Sequence, residues 1–73
     1  MEVNIMSVVL YTIGCQNCDI LEKKLKIKHI DFLRVSDVDT IRAKGFGKET
    51  FPILEVDGVI MNYGTAIQWV NNQ

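Results

Sequence analysis

Ser7-Val8-Val9-Leu10-Tyr11, continuing through Thr12-Ile13-Gly14 to Cys15-Gln16-Asn17-Cys18, is the stretch that sets the fold. Its first five residues are rich in β-branched side chains and nearly continuously apolar, which predicts a short strand buried on both faces. Thr12-Ile13-Gly14 ends that strand. Downstream, Asp19-Ile20-Leu21-Glu22-Lys23-Lys24-Leu25-Lys26 is built from good helix formers. Cys18, Leu21 and Leu25 fall on one stripe, and Glu22, Lys23 and Lys26 lie around the outside. The helix therefore begins at the cysteines. A bare Cys-x-x-Cys is a weak motif, but one held between a central strand and a helix is a strong one.

Outward from this core the chain alternates. His29-Ile30-Asp31-Phe32-Leu33-Arg34-Val35 predicts a second strand, and Ser36-Asp37 can cap a short helix running to about Lys44, ended by Gly45 and Gly47. Pro52-Ile53-Leu54-Glu55-Val56 runs into Asp57-Gly58, the strongest hairpin signal present, after which Val59-Ile60-Met61 returns antiparallel. Gly64-Thr65 opens a last helix, with Thr65 as its expected cap and Ala66, Ile67, Trp69 and Val70 facing inward. The expected class is α/β, in the order β-α-β-α-β-β-α. A right-handed crossover sets the second strand parallel to the first, and the hairpin completes a four-stranded mixed sheet flanked by helices.

Composition excludes several function classes. With 73 residues only one small core fits, so a single domain spanning 1–73 is expected, with 1–5 a dispensable extension because Met6-Ser7 would also make a start. Eight basic against nine acidic residues give a net charge of -1, which supplies no field toward a phosphate backbone; nucleic acid is not an expected partner. No apolar run approaches the ~18 residues needed to cross a bilayer, so no membrane partner is expected either. The first six residues lack the features of a secretory signal, and the expected location is the cytoplasm, as a monomer.

The two cysteines carry the chemistry. A disulfide between Cys15 and Cys18 closes so short a loop that it removes little chain entropy, so stapling explains the pair poorly. A structural zinc wants four ligands, and His29 is the only other soft candidate; no metal site is expected. Two buried spectator thiols are a further reading, opposed by Gly14 and the helix start, which argue that Cys15 is exposed. At a helix start a sulfur faces unpaired amides at the positive end of the dipole, which favours the thiolate. Cys15 then attacks a substrate disulfide and Cys18, one turn deeper, resolves the mixed disulfide. Thr50-Phe51-Pro52 stands where a strand begins. There proline either merely opens the strand or, with a cis bond, bends the chain and exposes the backbone of Phe51 to an extended peptide; spacing leaves both readings standing.

Together, Tyr11 to Cys18, Thr50-Phe51-Pro52 and the Val56-Asp57-Gly58 hairpin resemble the landmarks of glutaredoxins and of the glutaredoxin-like hydrogen donors to ribonucleotide reductase. The resemblance runs from about Ser7 to Val70. It implies a minimal thioredoxin fold, with Cys15 as nucleophile, Cys18 as resolving thiol and Pro52 as the cis-proline beside them. It also implies that the main chain of Phe51 pairs with the cysteinyl part of glutathione or of a substrate peptide. Glutathione is the expected reductant or co-substrate, with no tightly bound cofactor. A disulfide-containing protein is the expected substrate, and a thioredoxin-type reductase the alternative electron source. Some members of the family instead share an iron-sulfur cluster between two chains, which makes a cluster carrier the alternative function.

The chain departs from that pattern at several points. Thr12 and Ile13 occupy the stretch where glutaredoxins usually carry Lys or Arg, and Gln16-Asn17 replaces the common Pro-Tyr. Asn62-Tyr63-Gly64-Thr65-Ala66 lacks the usual acid, leaving Gly64, Thr65 and the amides of the last helix to take a γ-glutamyl carboxylate. Lys48, four residues before Pro52, stands where the family often places a polar or basic residue near the glycyl carboxylate, although it reads more readily as a solvated surface lysine. Tyr11, Tyr63 and Trp69 read as packing or rim residues, His29 as structural, and Lys23, Lys24, Lys26 and Lys28 as a solvated basic face.

Overall fold

Alternation along β1 (Val8–Tyr11) sends side chains to both sides of a sheet, and each side is covered by different helices. The computed structural model describes residues 7–46 and 51–73. The elements follow as α1 (Gln16–Ile27), β2 (Leu33–Val35), α2 (Val38–Ala43), β3 (Ile53–Val56), β4 (Val59–Met61) and α3 (Tyr63–Asn71). The sheet runs β2-β1-β3-β4, with β2 parallel to β1 and both hairpin strands antiparallel to their neighbours. This is the four-stranded mixed α/β sheet expected from the sequence.

On one face Val8, Leu10, Leu54 and Val56 pack against Leu21 and Leu25 of α1 and Ala66 and Val70 of α3. On the other, Tyr11 and Ile53 pack against Ile41 of α2 and against Phe46. Leu10, Leu21, Leu25, Leu54 and Val70 are fully buried, each worth about 1.5–3 kcal/mol of transfer free energy relative to exposure. The Asp57-Gly58 turn has φ of 50° and 86°, the paired left-handed conformation of a two-residue hairpin, which an aspartate and a glycine supply at low cost.

Two local expectations are corrected. The second strand covers only Leu33–Val35, because α1 ends in a motif that reaches past His29. The Ile30 amide donates to the Leu25 carbonyl and the His29 amide to that of Lys26, with His29 left-handed at φ 58°. That is a Schellman ending built on histidine in place of the usual glycine, which hid it from the sequence. Thr65 is not the cap of α3. Asn62 is: its side-chain oxygen accepts from the Thr65 amide at 2.9 Å, and the helix starts at Tyr63.

Candidate functional site

The two sulfurs meet at the mouth of α1. Cys15 is the N-cap of that helix, and its sulfur accepts the Cys18 amide at 3.1 Å. Cys15 and Cys18 form a disulfide with each other, so the structure holds the pair in its oxidised state. Cys15 is half-buried, whereas Cys18 is sealed at 0% exposure, because its position on the Leu21–Leu25 stripe turns it into the core. An incoming group therefore meets Cys15 first.

The second contribution comes from the far end of the chain. The Phe51–Pro52 peptide is cis, and the Phe51 carbonyl oxygen lies 3.8 Å from the Cys15 sulfur. Pro52 is buried and Phe51 half-buried. Phe51 is held in turn by an edge-to-face contact with Phe46, 6.5 Å between centroids, and Phe46 meets Tyr11 in the same way at 4.9 Å. The Tyr11 hydroxyl donates to Glu55 Oε1 at 3.1 Å, and Lys44 Nζ stands 3.9 Å from the same oxygen. Burial, above all, pushes the Tyr11 phenol above its ordinary range, against the lowering effect of Lys44. Tyr11 thus belongs to the packing behind the site, not to its surface.

The remaining candidates divide. Gly64 and Thr65 lie exposed in the first turn of α3, with the Thr65 amide already engaged by Asn62. Lys48 and Thr50 lie outside the described residues. His29 stands beyond the opposite end of α1, about 18 Å of helix rise from the cysteines, too far to share a metal with them. Two residues behind the site escaped the sequence reading. Phe46 carries no motif, and Thr12, buried at the end of β1, was legible only as a threonine two residues before a glycine.

No family model matches the chain, and no curated protein matches it either. Among solved structures it is similar to a Nu-class GST from Haemonchus contortus, with a TM-score of 0.72 and 18% sequence identity over 93% of this chain. The fold is thioredoxin-like. The chain spans 36% of the length of that neighbour, and at such identity the likeness carries the fold alone. In this thioredoxin-like frame the Cys-x-x-Cys pair caps the helix that follows the central strand. None of the described helices is long and apolar enough to cross a membrane.

Proposed function

We propose that this chain is a small thiol-disulfide oxidoreductase that cycles Cys15 and Cys18 between dithiol and disulfide. The observation that carries this reading is the asymmetry of the pair at the start of α1: one sulfur reachable and capped by an amide, its partner buried a turn deeper. Helix amides and the dipole favour a thiolate at Cys15 over the neutral thiol. That thiolate attacks one sulfur of a substrate disulfide, the substrate S–S bond breaks, and the departing substrate thiolate takes up a proton. Cys18, deprotonated, then attacks the Cys15 sulfur, the mixed disulfide breaks, and the second substrate thiol leaves. Two electrons have passed to the substrate, and the Cys15–Cys18 disulfide remains to be reduced.

The backbone of Phe51 beside Cys15 supports pairing with an extended cysteinyl group, of glutathione or of a substrate protein. Glutathione or a thioredoxin-type reductase returns the electrons. A glutaredoxin-like assignment, including service as hydrogen donor to ribonucleotide reductase in the cytoplasm, is the finer form of this proposal. It rests on the motifs around Cys15, Pro52 and Gly58.

The test is a coupled NADPH assay run twice, once with glutathione and glutathione reductase and once with thioredoxin reductase. Turnover is expected in one arm, lost in Cys15→Ser, while Cys18→Ser accumulates mixed disulfide with the substrate. Full dithiol activity in Cys15→Ser contradicts the assignment of roles, and no turnover in either arm contradicts the function.

A further inference from the structure

We infer that Thr12 is a positioning residue for the nucleophile, its buried hydroxyl holding the Gly14 amide so that the Cys15 sulfur stays at the mouth of α1. This deepens the thiol-disulfide reading and rests on it. Among the described residues Thr12 is the one polar residue in the core, 1% exposed, while Ile13 and Gly14 beside it are exposed. A hydroxyl in that place costs stability unless it is hydrogen-bonded. It accepts the Gly14 amide at 3.1 Å.

Both ends of Thr12 are tied. Its own amide donates to the Val35 carbonyl at 3.0 Å, one step beyond the last β1–β2 pair, Tyr11 with Val35. The backbone is thereby fixed to the sheet, and a β-branched side chain has little freedom about χ1. Gly14 has no comparable hold. Its φ is 78°, and a Cβ there would meet nothing within 4 Å, so packing does not fix it. The hydroxyl thus carries the rigidity of the sheet across two residues to Cys15. In the disulfide the Cys15 sulfur lies 3.1 Å from the Cys18 amide, and a thiolate freed by reduction gains from the helix amides only while it stays within such hydrogen-bond reach of them.

The test compares reduced wild-type protein with Thr12→Val, which keeps the branched shape and removes the acceptor, and Thr12→Ser, which keeps the acceptor. Two quantities are read: hydrogen exchange of the Gly14 amide by NMR, and the pH profile of Cys15 alkylation by iodoacetamide, with the site verified by mass spectrometry. In Thr12→Val the Gly14 amide should exchange about tenfold faster, the loss of one hydrogen bond of ordinary strength. The alkylation midpoint should rise by about one pH unit, the same factor in thiolate population. Thr12→Ser should stay near wild type in both. A well-folded Thr12→Val whose alkylation profile overlays the wild type overturns the inference. So does a Thr12→Ser that shifts as far as Thr12→Val, since packing of the methyl would then explain everything. Should Thr12→Val fail to fold, Thr12→Ala removes the same acceptor; and a Gly14 amide unprotected in the wild type overturns the inference without any variant. A wild-type protein whose Cys15 alkylates like an ordinary free thiol sinks the redox reading itself, which is a different observation.

Discussion

Replacing Phe46 by Leu should weaken the face of the sheet that backs the site and slow disulfide reduction together. Phe46 is 8% exposed and stands between Tyr11 and Phe51, making an edge-to-face contact with each. Leucine keeps most of the apolar bulk but none of the ring electrostatics, worth about 0.5–1.5 kcal/mol per aromatic pair. Two pairs make the expected loss about 1–3 kcal/mol. A chain of 73 residues has a total stability of about 4–11 kcal/mol, so the loss is a substantial fraction of the whole. At about 4–8 °C per kcal/mol for a domain of this size, Tm should fall by about 5–20 °C in a calorimetric scan. Phe46 also buttresses Phe51, whose carbonyl lies beside the Cys15 sulfur. In the coupled assay, well below the lowered Tm, kcat/KM should drop about 3- to 10-fold if, as proposed, the Phe51 backbone pairs with the substrate. Val70→Ala is the control: it removes two fully buried methyl groups from the opposite core, at about 2 kcal/mol, and should leave kcat/KM unchanged. A Tm within about 3 °C of wild type for Phe46→Leu, or equal kinetic losses in both variants, would refute the reasoning.

Three further outcomes are expected. Gly14→Ala meets no clash, so its cost should be that of forcing an alanine into left-handed backbone, about 1–2 kcal/mol in urea unfolding of the oxidised protein. Asn62→Ala should lower stability by about 1 kcal/mol through loss of the α3 cap, whereas Thr65→Ala, if Thr65 were the cap, would do so instead; paired urea curves decide. Asp37 accepts the Thr40 hydroxyl and then its amide, which holds its carboxyl below the ordinary range. Because the folded value is the lower one, this contribution is present above the unfolded carboxyl value and is lost as pH falls through the folded one. Asp37→Ala should therefore destabilise the protein at neutral pH, and the gap to wild type should close in strongly acidic buffer, measured by urea midpoints across that range.

How far the chain could be read in advance depended on whether the deciding contact was local. The continuous apolar run of Ser7–Tyr11, the Leu21–Leu25 stripe and the Asp57-Gly58 turn each act over a few residues, and their elements formed as expected. The ends of elements were less legible. His29 ends α1 in a conformation for which glycine is the usual signal, and Asn62 caps α3 one turn earlier than Thr65 would, its side chain reaching forward to accept the Thr65 amide. Behind the site, Phe46 carried no chemical motif at all, and Tyr11 read as a packing or rim residue without naming its partner, since an aromatic residue declares its partners only once packed.

By itself the sequence determined that a strand, a glycine and a helix start would bracket Cys15 and Cys18. Three residues of separation at a helix N-terminus put both sulfurs on one turn whatever surrounds them. Only the tertiary structure decided what stands against them. The Phe51 carbonyl comes from 36 residues away to meet the Cys15 sulfur, and Val35 reaches across from β2 to anchor Thr12. Such approaches are fixed by strand register and by the packing of two separate cores, which no local spacing encodes.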